Sequence, residues 1–168
     1  DTRLIIPNLR RIVLRPIVHI VLALLLALSQ SGQAAPRGIA LIIGNAAYES
    51  SPLRNPANDA RDLAKALEEV GFEVMLKPNL KSDEMKLAIA EFGDRLAQTK
   101  AVGLFYFSGH GVQSSRGRNY LLPVGYHFQR ERDVELFAVE ARAVLASMEE
   151  AGNPLNIRYR AVLNGNRD

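Results

Sequence analysis

The stretch Val102-Gly103-Leu104-Phe105-Tyr106-Phe107 carries no charge and ends on Ser108-Gly109-His110-Gly111. A strand this continuously apolar is covered on both faces, which is the condition of a parallel sheet flanked by helices rather than of an antiparallel sheet with one wet face. Open α/β sheets gather their reacting groups beyond the carboxyl ends of the strands. A histidine placed there delivers an imidazole to the mouth of the sheet. Its flanking glycines let the backbone turn sharply and let a substrate approach without meeting a Cβ.

The rest of the chain repeats the alternation of short apolar runs with helical stretches, as a parallel α/β fold requires. Ile39-Ala40-Leu41-Ile42-Ile43 predicts a covered strand that ends at Gly44-Asn45, followed by a polar loop to Asn55-Pro56. Asn55 predicts a helix cap with Pro56 at the first helical position. Ala60, Leu63, Ala64, Leu67 and Val70 then fall on one helical face, and Gly71 stops the helix. Phe72 to Leu76 reads as a second strand. Ser82 predicts the cap of a second helix with Met85, Ala88, Ile89, Phe92 and Leu96 inward; Met85 then stands where a capping-box acid would sit. Asn119 to Val124 is a short apolar segment ended by Pro123 and Gly125, and Val139 to Ala151 predicts a third helix closed by Gly152-Asn153-Pro154. Tyr106 and Phe107 are core positions, whereas Arg116, Arg118, Arg130 and Arg132 read as a solvated face.

A fourth parallel strand is due after Pro154, and Leu155-Asn156-Ile157 begins one. Arg158 and Arg160 then bracket Tyr159 where a covered strand would be apolar. Unpaired guanidinium groups inside a sheet cost several kcal/mol each. The segment therefore lies at an edge or does not form a strand.

With 168 residues the chain is the size of one domain. Its net charge of +3 resides in Arg3, Arg10, Arg11 and Arg15, which face a single acid, Asp1, among residues 1–34; the remainder is balanced. No basic face for a phosphate backbone follows, so nucleic acid is not an expected partner. Arg10, Arg11 and Arg15, the apolar run Ile17 to Leu28, and Gly32-Gln33-Ala34 have the layout of an export signal cleaved after Ala34. The apolar run is short for a membrane span of about 20 residues; an uncleaved anchor is the alternative. The expectation is a signal segment over 1–34 and a domain over 35–168, exported to a periplasm or the cell exterior. The chain opens on Asp1 with no methionine before Met75, as expected for a fragment or for a start at a non-Met codon near Val13. It has no cysteine, so no disulfide staples the fold.

Five segments in order carry a family resemblance. They are Ala40-Leu41-Ile42-Ile43-Gly44-Asn45, then Leu53-Arg54-Asn55-Pro56-Ala57-Asn58-Asp59-Ala60-Arg61-Asp62-Leu63, then Gly71-Phe72-Glu73-Val74. Leu104-Phe105-Tyr106-Phe107-Ser108-Gly109-His110-Gly111 and Asn119-Tyr120-Leu121-Leu122-Pro123-Val124 complete the set. Together they resemble the caspase and metacaspase superfamily of cysteine peptidases, in its bacterial branch, over roughly residues 38–157. The resemblance implies a caspase-like three-layer α/β/α sandwich with a mostly parallel sheet, here without its last strands.

In that family the histidine of the Gly-His-Gly turn and a cysteine on the next strand form a dyad. The thiolate attacks the scissile carbonyl, the imidazole moves the proton, and backbone N–H groups hold the oxyanion. By match of motif the histidine is His110 and the oxyanion glycine is Gly111. The family cysteine lies roughly 50 residues after the histidine. Counted without gaps, the family's Asp-Ala-Cys puts its aspartate on Ala161 and its nucleophile on Leu163, so the resemblance implies both a lost thiol and a lost handle for a basic substrate side chain. Some metacaspases need calcium, which makes calcium a cofactor by resemblance only. Asp59, Asp62, Asp83 and Glu84 do not have the spacing of a dedicated calcium loop, and no metal site is assigned. Asn58-Asp59-Ala60 is also ordinary helix-start chemistry, with Asp59 favouring the helix dipole. His19 and His127 are incidental.

The expected function is a caspase-like cysteine endopeptidase domain left inactive by the missing cysteine, with a peptide or protein as its ligand. A non-catalytic pseudopeptidase that binds peptides or partners is the alternative, and a membrane-anchored interaction domain is a third. Resemblance is dense to Asn156-Ile157 and absent from Arg158 on, the pattern of a reading-frame shift near the codon for Ile157. If residues 1–34 are a cleaved signal, N-terminal sequencing of the secreted product should read from Ala35. An exported product that retains Ile17 to Leu28 would establish the anchor instead.

Overall fold

The computed structural model describes residues 36–154 and 156–161. The expected signal segment with His19, and Leu163, lie outside the described residues. Among the described residues eleven elements follow in order: β1 (Gly38–Gly44), α1 (Pro56–Glu69), β2 (Phe72–Pro78), α2 (Ser82–Thr99), β3 (Val102–Ser108), β4 (Gly111–Gln113), β5 (Asn119–Leu121), α3 (Glu131–Phe137), β6 (Val139–Glu140), α4 (Ala141–Glu150) and β7 (Asn156–Ala161).

Four strands make a wholly parallel sheet in the order β2-β1-β3-β7. Every residue of β1 is buried, the consequence of having a strand on each side and helices on both faces. Period-two alternation divides the two cores. Ile39, Leu41, Ile43, Phe105 and Phe107 pack with Met85, Phe92 and Leu96 of α2 and with Val144 and Met148 of α4. Ala40, Ile42, Leu104 and Tyr106 pack on the other face with Ala60 and Ala64 of α1. The result is the expected three-layer α/β/α sandwich. A second, antiparallel sheet of order β4-β5-β6 follows β3 in the chain.

Helix boundaries differ from the sequence expectation where backbone bonding decides them. Asn55 stands at the cap of α1 with Pro56 at the first position, but its side chain makes no capping bond; its carbonyl accepts from Asn58 and Asp59. The cap of α2 is Lys81 rather than Ser82. Lys81 N–H donates to Glu84 Oε2 at 2.8 Å, so the acid missing from the Ser82 frame is present one residue earlier. Ser82 becomes the first helical residue, and its hydroxyl is buried without a partner among the described residues. Val70, assigned to the inner face of α1, is the C-cap and is 51% exposed, because Gly71 at φ +89° turns the chain away there.

Two further expectations are corrected. The helix predicted from Val139 starts at Ala141, because Val139 and Glu140 pair with Leu121 and Tyr120 as an edge of the small sheet. Arg118 is not a free solvated residue: its guanidinium pairs with Glu135 at 2.7 Å and Glu140 at 3.7 Å and lies over the Tyr120 ring. It thereby ties α3 to β6. Of the two alternatives for the final segment, the edge strand is the one that forms. Among the described residues β7 pairs only with β3, with Arg158 opposite Phe105 and Arg160 opposite Phe107 in register. Charged residues are common on edge strands.

Phe92 is fully buried between α2 and the sheet, whereas Leu87 on the same helix is 70% exposed. Phe92→Ala should lower unfolding stability by about 3–5 kcal/mol, and Leu87→Ala by less than about 0.5 kcal/mol, measured by urea denaturation.

Candidate active site

The strand order creates a switch point. The chain leaves β1 through α1 toward β2 on one side, and leaves β3 toward β7 on the other, with α1 and α4 on opposite faces. The two exits diverge at the carboxyl ends of β1 and β3 and open a crevice, the place where open α/β sheets bind ligands. Residues 45–55 form one wall, and the Gly109-His110 turn forms the other.

His110 is held at four points. Its backbone N–H donates to the Tyr48 hydroxyl at 3.0 Å, and its carbonyl accepts from Leu122 N–H at 2.9 Å. Its ring lies 4.5 Å from the Tyr48 ring at 58°, and Nε2 is 2.7 Å from the Ser51 carbonyl oxygen. A carbonyl can only accept, so the proton of the neutral imidazole sits on Nε2. Nδ1 then keeps its lone pair, with no partner among the described residues. An imidazole oriented by a third group, with the opposite nitrogen open, has the arrangement of a general base.

Gly111 opens β4 opposite Leu121. Because Leu122 N–H bonds the His110 carbonyl, Gly111 and Leu121 form a non-hydrogen-bonded pair, and the Gly111 N–H points away from β5. Among the described residues it meets no acceptor, and it lies next to the imidazole. Gly109 is required for a different reason from the sharp turn expected of it: its φ is not positive, but a Cβ there would stand 2.6 Å from the Tyr48 hydroxyl and 2.7 Å from Phe107. A cleft of about 260 Å³ beside the turn is lined by Leu53, Arg54, Asn55, Pro56, Asp59, Ser108 and Gly109.

The expected site residues His110 and Gly111 are adjacent at the crevice. Asp59 lines the cleft. Asp83 and Glu84 belong to the first turn of α2, where Glu84 is engaged by Lys81. Among the described residues no three His, Asp or Glu side chains gather as metal ligands. His127 is not idle: its Nδ1 is 2.9 Å from Ser50 Oγ, which links residues 122–130 to the wall that carries Tyr48 and Ser51.

Three contributors escaped the sequence. Tyr48 is buried, and its hydroxyl donates to the Leu122 carbonyl at 2.9 Å while accepting from His110. Asn45 is fully buried and bonds Leu80 and Leu122. Ser51 acts through its backbone, which no side-chain pattern announces. Tyr48 and Asn45 shared one available signal, an amide and a phenol directly after the carboxyl end of a covered strand.

The family model for the caspase domain matches residues 37–147. Over 85 residues the chain is 31% identical to Caspase-1 of Sus scrofa, an alignment that covers 49% of this chain and 21% of that protein. The chain thus spans about a fifth of the curated relative it matches.

Burial pushes the Tyr48 phenol up to about 12, against the smaller opposing pull of the His110 backbone N–H and the Asn45 side chain. The stabilisation from keeping this phenol neutral is complete below the unfolded pKa, about 10. It is lost as pH rises through the folded value, since the unfolded chain releases the proton first. An ultraviolet titration should show a late-ionising phenol that is missing in Tyr48→Phe, with unfolding stability of the unmodified chain falling as pH rises from about 10 through about 12. A late phase unchanged by Tyr48→Phe in a folded chain would contradict the burial of this hydroxyl.

Proposed function

The chain belongs to the caspase domain family, and on that premise we propose that it is a caspase-like peptidase domain that holds peptides at the His110 crevice without cutting them. The observation that carries this is the prepared imidazole beside a free backbone donor in a chain that contains no cysteine.

In the family reaction a thiol gives its proton to the imidazole, attacks the peptide carbonyl, and the imidazole then protonates the leaving amine. His110 Nδ1 is the atom of this chain that would take and return that proton. The Gly111 N–H would donate to the oxygen as it gains charge. A bound peptide carbonyl can still use that donor in the ground state, which is why binding outlives cleavage. Counted without gaps against the family's Asp-Ala-Cys, the nucleophile's position in the sequence holds Leu163. Leucine has no nucleophilic atom. Ala161 in place of the family's aspartate leaves no carboxylate to draw a basic substrate side chain.

A degraded or frame-shifted copy is a second reading, favoured by Arg158 and Arg160 standing opposite Phe105 and Phe107. A cooperative thermal melt argues for a retained binding domain. An apolar run followed by a cysteine in another frame of the gene argues for the degraded copy.

The purified chain should hydrolyse neither Arg/Lys nor Asp reporter peptides, with or without calcium, while retaining measurable peptide binding by fluorescence anisotropy. Turnover that disappears in His110→Ala would overturn the non-cleaving assignment. Leu163→Cys should create a thiol that reacts with iodoacetamide with a midpoint below the usual value of about 8.5, and His110→Ala in that background should return it to the usual range. A midpoint indifferent to His110 would remove Leu163 from the nucleophile's place.

A further inference from the structure

We infer that Tyr48 is the positioning residue of this site, setting the height of the His110 imidazole and, through that height, its meeting with the Ser51 carbonyl that fixes the tautomer. The inference rests on His110 being the working imidazole of the proposed function, and adds a residue outside the expected histidine, glycine and nucleophile positions.

The hydroxyl of Tyr48 has one donor proton and accepting lone pairs, and both functions are used. It accepts from the His110 backbone N–H at 3.0 Å and donates to the Leu122 carbonyl at 2.9 Å. Leu122 in turn donates its N–H to the His110 carbonyl at 2.9 Å. Tyr48 and Leu122 therefore close a ring of hydrogen bonds around the peptide groups of residue 110. The phenol ring, 4.5 Å from the imidazole, forms a shelf that limits its rotation. Three residues farther along the same wall, the Ser51 carbonyl can meet Nε2 only if the imidazole stands at the height this ring of bonds fixes.

Two more observations fit that role. The Tyr48 hydroxyl occupies the space that a Cβ at residue 109 would need, 2.6 Å away, so the turn is built around this oxygen. The phenol stays neutral because it is buried, so it serves as a fixed hydrogen-bonding post and does not itself exchange protons near neutral pH. An apolar side chain of the same shape would fill the space but would leave the His110 N–H unpaired and the Leu122 carbonyl with Asn45 alone as its side-chain partner.

The test is nitrogen NMR of the imidazoles in the uniformly labelled chain, with His127 as the internal control. His110 of the unmodified chain should carry its proton on Nε2 as a single tautomer. In Tyr48→Phe, which keeps the shelf and loses the post, the His110 shifts should move toward the mixed-tautomer average and its titration midpoint should change, while His127 stays put. A Tyr48→Phe chain that melts cooperatively with His110 shifts and midpoint unchanged overturns the inference. Equal movement of His110 and His127 overturns it too, since general loosening would then account for both. Should the variant not fold, amide exchange of the unmodified chain decides. The His110 N–H should exchange at least about 100-fold more slowly than an open amide, and exchange at the open rate overturns the inference. None of these readouts involves a peptide. A chain that binds no peptide fails the proposed function and leaves the role of Tyr48 standing, and unchanged imidazole shifts in a peptide-binding chain do the reverse.

Discussion

At the carboxyl end of β1 the Asn45 side chain is removed from solvent and forms hydrogen bonds in both directions. Its carbonyl oxygen accepts from Leu80 N–H at 2.9 Å, and its amide donates to the carbonyls of Leu80 and Leu122 at 3.3 and 3.2 Å. Its backbone N–H reaches the Ser108 carbonyl at 2.8 Å. One residue thus joins the exits of β1, β2 and β3 to the segment after β5. Leaving such a buried amide unpaired costs about 1–3 kcal/mol, so the loops are held in the one arrangement that satisfies it. The Leu122 carbonyl that Asn45 holds also anchors Tyr48, and through Tyr48 it anchors His110.

This hierarchy explains how a prepared imidazole can exist in a chain without a thiol. Among the described residues, no contact that positions His110 comes from β7. Tyr48 and Ser51 belong to the loop after β1, and Leu122 follows β5. On the proposed function, the orienting contacts and the nucleophile's position belong to different parts of the chain, so a missing thiol leaves the contacts intact. The Gly111 donor is equally independent, since its direction follows from the pairing of β4 with β5. Membership of the caspase domain family explains the ancestry of the arrangement, while the present chemistry follows from the atoms that remain.

The layers of the fold were legible because burial writes itself into residue type. Ile39 to Ile43 and Val102 to Phe107 have no polar alternate because both faces are covered, and both became strands. The small sheet was less legible. Val139 and Glu140 fit a helix as well as a strand by local pattern, and only pairing with Leu121 and Tyr120 separates the two. The cap at Lys81 illustrates the same limit, because a lysine at that position has no sequence signature until Glu84 folds back onto its N–H.

The sequence by itself determined a parallel α/β sandwich with a histidine at the mouth of the sheet and no cysteine to pair with it, because apolar periodicity and residue identity are local properties of the chain. Tertiary structure alone decided what that histidine can do. The proton on Nε2 is set by a backbone carbonyl 59 residues away, and the height of the ring by a phenol 62 residues away. A carbonyl oxygen is common to every residue, so no one-dimensional pattern marks the one that will face an imidazole; only the closure of β1 beside β3 brings the two together.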